Sequence, residues 1–414
     1  MSPWFLGAAA LALILAAPSA AAPVAGACRG GICEGRALVP FLRLLRTADT
    51  RPVHILQIGD SHTANDNIAG AWREILQARY GDGGRGVLPP GRPWAGFSPR
   101  QVSVAQGPDW SAASVMDARK SGRTDLAFGV SGFRLASPAS GGDRRLDAEP
   151  GRALRRFTAC AATGPTAGVM TLSLGTQAAS VQLRANRAGA VCSSLTSDAS
   201  ATTAAISATP GVELLSWATF SGRPGVVVSN LGVIGAQLSQ VAPNGEESLK
   251  AELAAYAPDL IVLAFGTNEG FSPHFSSADY EAGLRAQIGR FRRLAPGTPI
   301  LLLGAPDAQS KIASILANSD QGHRAHLGSG GWFSPPGLED VRAVQRRVAV
   351  SEHVALWDWA GRMGGPGAAG LWSGANPPLM RSDHVHYSRE GGQRLAERLQ
   401  ADLDALCKAA CGKG

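Results

Sequence analysis

The chain has 414 residues, of which 45% are hydrophobic and 17% are charged, a globular composition long enough for one large domain or two modest ones. Its formal net charge of +7 suits an anionic partner. The basic residues form no run with interleaved aromatic residues, so we expect no nucleic-acid partner.

The N-terminus carries an almost wholly apolar stretch, Trp4 to Ala17, which is followed by small residues. This pattern predicts an export signal over residues 1–22, with cleavage near Ala21 or Ala22. No Lys or Arg precedes the apolar stretch, so an uncleaved anchor, with membrane association through the N-terminus, stays open. We therefore expect an exported protein, whose positive charge would suit peptidoglycan or anionic lipid.

Six cysteines, an even number in a chain predicted to be exported, favour disulfide bonds. Although six cysteines allow about fifteen pairings, their spacing suggests Cys28–Cys33, Cys160–Cys192 and Cys407–Cys411. A zinc site is the alternative, and it is disfavoured because no histidine lies at ligand spacing from these cysteines.

The first folded part of the chain is predicted over residues 23–94 and has an α/β pattern. A short helix over Leu38–Leu45 precedes a buried strand over 53–58. A second helix runs from about Asn65 to Arg79, since apolar residues recur there on one helical face.

A β-rich segment follows, because helical periodicity fades after about Trp94. Short alternating runs at 169–174, 180–183 and 212–217 predict antiparallel strands with one solvated face. We assign residues 95–225 to an inserted antiparallel β-sandwich, jelly-roll-like in character. Trp110 is a candidate for stacking on a sugar, although a core position is the commoner place for tryptophan.

Alternating strands and helices resume over residues 226–414. Strands are predicted at 226–228, 259–265, 299–303 and 354–358, and helices at 246–256, 279–294, 338–350 and 390–406. This alternation predicts a mostly parallel sheet between two layers of helices.

Ser61 stands where the strand over 53–58 ends in Gly-Asp-Ser and a helix begins. Backbone N–H groups favour negative charge there, and open α/β sheets place their sites at the C-terminal ends of strands. Taken alone, this tripeptide is more often a capped turn than a nucleophile, and it is not the G-x-S-x-G elbow.

Asp383 and His386 lie three residues apart, just before the last helix. A hydroxyl nucleophile needs a base and the base needs an orienting carboxylate, roles that His386 and Asp383 can fill. A surface turn or helix cap is the commoner role of such a pair. His384 is a competing histidine, whose side chain should point away from that of His386 in an extended segment.

Three groups could donate hydrogen bonds to a developing oxyanion. Asn268 ends a buried strand and can donate through its amide, although a loop asparagine often bonds its own backbone instead. Gly235 can offer an unobstructed backbone N–H, or it can simply occupy a tight turn. The backbone N–H of Ser61 is the third candidate.

Four segments in this order resemble the sequence blocks of the SGNH (GDSL-like) hydrolase superfamily, namely Gly59–His62, Asn230–Gly235, Gly266–Glu269 and Asp383–His386. Glu269 departs from the pattern, since many members have Asp there. The resemblance covers about 50–90 and 226–405 and leaves out the insert.

This resemblance implies a three-layer α/β/α fold and a Ser61–His386–Asp383 triad. It also implies oxyanion donors at Ser61, Gly235 and Asn268, with no metal and no organic cofactor. The β-domain between the first two blocks is similar to the layout of exported bacterial peptidoglycan O-acetylesterases, which carry a carbohydrate-binding-like insert.

The implied activity is a serine esterase of the bacterial periplasm or cell envelope that removes O-acetyl groups from an acetylated glycan through an acetyl-enzyme. Peptidoglycan is the first candidate substrate. An O-acetyltransferase acting on a cell-wall or exported polysaccharide and a non-catalytic polysaccharide-binding protein stay open as alternatives. A lipase or thioesterase is disfavoured, because no large apolar lid segment stands out.

Overall fold

The structure is a computed structural model that describes residues 1, 28, 30–105, 110–122, 128–241, 245–311, 320 and 324–412. The predicted signal or anchor over residues 1–22 lies outside these residues, apart from Met1. Among the helices of the described ranges, none combines the length and the apolar character needed to cross a bilayer.

The chain begins with the first elements of an α/β domain. They are β1 (Ile32–Cys33), α1 (Val39–Leu45), β2 (Pro52–Gly59), α2 (Ser61–Ala64) and α3 (Ile68–Tyr80). Strand β2 is buried at every residue after Pro52, as expected for a strand covered on both faces. Helix α3 ends at Gly81, whose φ of +97° lies in the region that glycine adopts without strain.

The β-rich segment then adds a series of strands and one short helix. They are β3 (Gly86–Leu88), β4 (Val102–Val104), β5 (Ser111–Ser114), α4 (Val115–Ser121), β6 (Phe133–Ala136), β7 (Gly142–Ala148), β8 (Leu154–Thr163), β9 (Val169–Leu174), β10 (Gln177–Gln182), β11 (Gly189–Ala201), β12 (Thr203–Ala208) and β13 (Glu213–Phe220).

These strands form two antiparallel sheets that share one hydrophobic core. The strand order is β10-β9-β12-β7-β4 in one sheet and β11-β8-β13-β6-β5 in the other, with β3 also paired to β13. Alternate residues of β9 face the core, including Met170 and Leu172, which is the period-two pattern of a half-buried strand. Strand β3 precedes residue 95, whereas the other strands of the second sheet follow it. This sheet therefore contains residues from both sides of the predicted boundary at residue 94.

The remaining elements complete the α/β domain. They are β14 (Gly225–Gly232), α5 (Glu246–Tyr256), β15 (Leu260–Ala264), α6 (Thr267–Gly270), α7 (Ser277–Leu294), β16 (Ile300–Leu303), β17 (His326–Leu327), β18 (Phe333–Ser334), α8 (Gly337–Glu352), β19 (Ala355–Trp357), α9 (Trp359–Met363), α10 (Ala368–Ser373) and α11 (Arg389–Ala410). Short 3-10 turns at Gly35–Leu38, Leu238–Gln240 and Ser329–Gly331 connect some of them.

A six-stranded sheet in the order β1-β19-β16-β15-β2-β14 forms the centre of this domain. Its pairings are parallel except that of β1 with β19. One face packs against α5, α7 and α8, and the other packs against α1, α3 and α11. The predicted three-layer α/β/α fold with an additional antiparallel β domain is therefore confirmed, while the exact boundaries at 94 and 225 stay predictions.

All three predicted disulfides are present, and the described residues include no free cysteine. Cys28–Cys33 ties the start of the described chain to β1, and Cys160–Cys192 joins directly paired positions of β8 and β11. Cys407–Cys411 closes the end of α11. Each bond therefore reinforces a local contact rather than linking the two domains.

The β domain packs on the α/β domain through a buried carboxyl group of α5. Glu252 accepts a hydrogen bond from the N–H of Val130 at 2.5 Å and another from the hydroxyl of Ser216 in β13. The Tyr256 hydroxyl, also on α5, lies 2.7 Å from the same serine. Burial raises the pKa of Glu252 to about 7, and the two donors only partly oppose this increase.

This buried carboxyl group predicts a pH-dependent stability. The folded-state pKa of Glu252 lies above the ordinary value of 4.5. Its contribution to the free energy of unfolding is therefore fully present below pH 4.5 and is lost as the pH rises through about 7. In Glu252→Gln the amide oxygen can accept the Val130 N–H and the amide nitrogen can donate to the Ser216 hydroxyl, without any charge. We therefore expect this variant to raise the free energy of unfolding at pH 8 by on the order of 1–3 kcal/mol. At pH 4 the change should be close to zero.

Denaturant unfolding at pH 4 and pH 8 measures this difference. Glu247→Gln, at an exposed first-turn position of the same helix, is the matched control. Losing its charge near the helix N-terminus should lower the free energy of unfolding at pH 8 by at most about 1 kcal/mol, which is opposite in sign to the effect of Glu252→Gln. A Glu252→Gln variant that is equally destabilised at both pH values would contradict the assignment.

Candidate active site

Ser61 is the first residue of α2, at the C-terminal end of β2, which lies between β15 and the edge strand β14. Its N–H lies in the first helical turn, where the helix supplies no carbonyl partner. Asp60 caps the helix by accepting a hydrogen bond from the N–H of His62 at 2.9 Å. The serine is partly exposed. It therefore lies where backbone N–H groups of the first helical turn are available to an anion.

His386 brings together residues that are far apart in the chain. Its Nε2 lies 2.9 Å from the Ser61 hydroxyl oxygen, and its Nδ1 lies 2.8 Å from a carboxylate oxygen of Asp383. These are hydrogen-bond distances, so a hydroxyl, a base and an orienting carboxylate form a continuous chain. The structure thus places the three predicted triad residues in the geometry that nucleophilic acyl transfer requires.

Asp383 is held by more than the imidazole ring. Its other carboxylate oxygen accepts hydrogen bonds from the N–H groups of Val385 and His386, both at 2.9 Å. Burial alone would raise the pKa of Asp383, but these N–H groups and the His386 ring outweigh burial, so the net pKa lies below its ordinary value. The carboxylate therefore stays charged and keeps His386 oriented.

His384, the competing histidine, contacts other groups. Its Nδ1 lies 2.8 Å from the amide oxygen of Gln309, and its ring stacks on Trp332 with centroids 3.8 Å apart. The segment is a turn rather than an extended strand, since His384 has a φ of +55°. The turn directs the ring of His386, and not that of His384, to Ser61.

Gly235 lies in a tight turn that directly follows β14. The Ala236 N–H donates to the Val233 carbonyl at 3.1 Å, which places Ile234 and Gly235 at the two central positions of a β-turn. A φ of +76° at Gly235 fits a type II turn, where glycine is favoured. The Gly235 N–H takes no part in the hydrogen bond that closes this turn.

Asn268, in α6, connects the strand ends of the site. Its side-chain nitrogen donates to the Ala236 carbonyl at 2.9 Å and makes a longer contact of 3.4 Å with Asp60. The amide therefore lies between the Ser61 segment and the Gly235 turn. The hydrogen that faces Asp60 is the one available to a new acceptor, because that contact is the weaker.

The strand register explains why these segments converge. Gly59 of β2 pairs with Gly232 of β14 on one side and with Ala264 of β15 on the other. Parallel strands that end at the same level place their following loops at one edge of the sheet. The predicted site residues come together for this reason, although they span more than three hundred positions.

A cavity of about 380 Å³ opens above Ser61 and His386. Its wall includes Trp94 and Ile234, and the Ile234 side chain is unusually exposed for an aliphatic residue, at 54%. Arg381 also lines the cavity. Sequence patterns did not predict these three residues, because a cavity wall is built from segments distant in the chain and carries no periodic signal.

Glu269, which departs from the family pattern, is buried beside the site. One of its carboxylate oxygens accepts the Leu238 N–H at 2.7 Å, while the other has no hydrogen-bond partner among the described residues. Burial raises the pKa of Glu269 to about 7, and the nearby Asp60 adds to the increase. No group of three or more His, Cys, Asp or Glu side chains in the described ranges is arranged to share a metal ion.

Comparison with known proteins agrees with this architecture. The sequence model of the GDSL-like Lipase/Acylhydrolase family matches residues 193–394, a range that contains Gly235, Asn268, Asp383 and His386 but begins after Ser61. A solved structure of a peptidoglycan O-acetylesterase has 28% sequence identity to this chain, with a TM-score of 0.73. The alignment covers 90% of this chain and 97% of that one, so the β domain is included.

Two further solved structures are more distant. A family two carbohydrate esterase from Clostridium thermocellum, an active-site mutant, is 13% identical over 66% of this chain and 93% of its own, with a TM-score of 0.27. A GDSL-like lipase from Bacteroides thetaiotaomicron is 12% identical over 44% and 76%, with a TM-score of 0.29. Scores this low support no conclusion, and no curated protein matches this chain.

The parallel sheet, the loops at its carboxyl edge and the added β domain define an SGNH-type hydrolase with an extra domain. The chain thus contains a GDSL-like Lipase/Acylhydrolase domain, and it is an esterase.

The triad geometry predicts the effect of removing single side chains. Asp383→Asn removes the charge that orients His386, and we expect kcat on an aryl acetate to fall on the order of 10⁴-fold. Ser61→Ala should lower activity at least as much. Asp404→Asn, which removes the charge of an exposed ion pair with Arg79 and keeps an acceptor for the Gln400 amide, should leave kcat unchanged. Near wild-type activity in Asp383→Asn would exclude the triad.

The position of Asn268 predicts a role in the transition state rather than in substrate binding. Asn268→Ala should lower kcat on the order of 10²–10³-fold, the usual cost of losing one oxyanion donor, with a smaller change in KM. Steady-state kinetics on the aryl acetate measure both constants, and thermal unfolding checks that the variant is folded. An increase confined to KM would argue against an oxyanion role.

Proposed function

We propose that this esterase removes O-acetyl groups from an acetylated glycan of the bacterial cell envelope, with peptidoglycan as the substrate. The observation that carries the proposal is the hydrogen-bonded chain from Ser61 through His386 to Asp383, which opens into a cavity at the edge of the sheet. The similarity to a peptidoglycan O-acetylesterase over nearly the full length of both chains supports the choice of substrate.

The proposed reaction proceeds through an acetyl-enzyme. His386 takes the proton of the Ser61 hydroxyl as its oxygen attacks the ester carbonyl. The resulting oxyanion accepts hydrogen bonds from the N–H groups of Ser61 and Gly235 and from the Asn268 amide. His386 then gives its proton to the departing sugar oxygen, which leaves the acetyl group on Ser61.

Water completes the reaction at the same site. His386 takes a proton from water, the hydroxide attacks the acetyl-serine carbonyl, and the same three donors bind the second oxyanion. Collapse of this intermediate releases acetate and returns the proton to Ser61. The Asp383 carboxylate stabilises the imidazolium that forms in both halves of the reaction, without accepting the proton itself.

The cavity suits an acetylated sugar better than a long acyl chain. Trp94 and Ile234 supply an apolar wall, while Ser98, Asn65 and Arg381 supply polar groups for hydroxyl or charged substituents. Arg381 adds positive charge, which favours a glycan that carries carboxylates, and the net charge of the chain acts in the same direction.

The β domain is proposed to help hold the polymer. Trp110 is only partly buried, and the Arg144 guanidinium lies 5.0 Å from the centre of its ring, so one aromatic surface is already in contact with protein. The position before β5 places this tryptophan on the sandwich, at the margin of its core.

Export to the periplasm or cell envelope, through the predicted signal or anchor, would bring the protein to this substrate.

Acetate release from purified peptidoglycan tests the proposed function. Acetylated peptidoglycan should yield acetate in amounts that match its O-acetyl content, and base-treated, de-acetylated peptidoglycan should yield none. Ser61→Ala should release no acetate from either material. Hydrolysis of an aryl acetate with no release from acetylated peptidoglycan would leave an esterase whose substrate is not this polymer.

A second arm of the same experiment separates an esterase from a transferase. When an acetyl donor ester and an excess of un-acetylated glycan are supplied together, an esterase should release free acetate and leave the glycan unmodified. A transferase would move acetyl groups to the sugar faster than to water. Glycan binding without acetate release, and without labelling of Ser61 by a serine-reactive phosphonate, would instead indicate a non-catalytic binding protein.

A further inference from the structure

His62 directly follows Ser61 and is almost completely buried, with 2% of its surface exposed. Its Nδ1 lies 3.1 Å from a carboxylate oxygen of Asp60, and its Nε2 lies 2.9 Å from the backbone carbonyl of Val385. Both partners are hydrogen-bond acceptors. A neutral imidazole carries one N–H, so both contacts are hydrogen bonds only when both ring nitrogens are protonated.

The surroundings of the ring favour this charged form. Burial lowers the pKa of His62, but the charge and hydrogen bond of Asp60, the Val385 carbonyl and the charge of Asp383 raise it more, so the net pKa is above its ordinary value. The other neighbours are the rings of Trp359, Tyr387 and His386, with centroids 5.4, 5.4 and 5.6 Å away. These three ring contacts add no negative charge beside that of the two carboxylates.

Val385 is the residue through which His62 can act on the triad. It lies between Asp383 and His386, and its own N–H donates to the Asp383 carboxylate at 2.9 Å. The Val385 carbonyl, which belongs to the next peptide group, lies within hydrogen-bond distance of Nε2 of His62. The other ring nitrogen of His62, Nδ1, contacts the carboxylate of Asp60, the residue before Ser61.

We propose that His62 is a positioning residue that works as an imidazolium, joining the Ser61 segment to the turn that presents Asp383 and His386. This inference rests on the triad of the proposed function. The doubly protonated ring bonds both segments at once, and a neutral ring can hold only one of them.

The proposal predicts how activity depends on pH. As the pH rises and His62 loses a proton, one of its two hydrogen bonds is lost and the turn loosens, so kcat/KM should fall on the alkaline side.

Two substitutions separate the two bonds. Glutamine can place its amide nitrogen near the position of Nε2, so His62→Gln keeps a donor for the Val385 carbonyl. Asparagine is shorter and reaches only Asp60. We expect His62→Asn to lose on the order of 10²-fold in kcat/KM on an aryl acetate, as for a misplacement of about 1 Å in the catalytic groups. His62→Gln should recover most of this loss, and both variants should lack the alkaline decrease.

His54 provides a matched control, because it is a second buried histidine in the neighbouring strand, with 4% of its surface exposed. Its ring contacts the Tyr256 carbonyl at 2.8 Å and the Ser229 hydroxyl at 2.7 Å. A hydroxyl can donate, so a neutral ring satisfies both contacts, and burial lowers the pKa of His54 to about 4. His54→Gln should change stability but leave the pH profile of activity as in the wild type.

Nitrogen NMR of the histidine rings tests the charge directly. The resonances absent from His62→Gln should show two protonated ring nitrogens at pH 7. A single protonated nitrogen at that pH, equal losses in the Gln and Asn variants, or wild-type pH profiles in both would overturn the proposal. Ser61→Ala in the same assay separates the two hypotheses: its activity would refute the triad, whereas its inactivity together with unaffected His62 variants would refute only the role of His62.

Discussion

The site depends on the close approach of three strand ends, at β14, β2 and β15. Gly59 and Gly232 are paired at this level, and a methyl group on Gly232 would meet backbone atoms of Asp60 and Ala64. A side chain there would push α2 away from β14, because the contact is with backbone rather than with a flexible group. The absence of these two side chains allows the Ser61 segment and the Gly235 turn to lie at one edge of the sheet.

Buried polar groups then fix this arrangement. Asp66 accepts hydrogen bonds from the guanidinium groups of Arg73 and Arg85, and Asn230 accepts one from each of them at 2.7 Å. The Asn230 amide in turn donates to the Thr63 carbonyl in α2 at 2.8 Å. Buried charges hold a structure well only when their hydrogen bonds are nearly all satisfied, which explains why so many partners converge here. Asn230, the first residue of the second sequence block, therefore has a structural role.

The β domain is integrated with the catalytic domain rather than attached by a flexible linker. One hydrophobic core contains residues of both, such as Phe133 and Phe220 of the β domain with Leu253 of α5. Trp94, just before the β domain, packs against Phe133 with ring centroids 5.5 Å apart and also lines the cavity. The geometry of the cavity wall thus depends on how the β domain is packed, which couples the domain to substrate access.

The sequence by itself determined the elements and the order of the chemical groups, because these signals are local. The buried run of β2, the helical periodicity of α3 and α8 and the short spacings between paired cysteines each lie within a few dozen residues. Only the tertiary structure decided the pairing of β1 with β19 and of β3 with β13, the contribution of Trp94 to the cavity, and the two acceptors around His62. Those features arise from contacts between distant segments, and the protonation of a buried histidine is set by whichever groups folding places on either side of its ring.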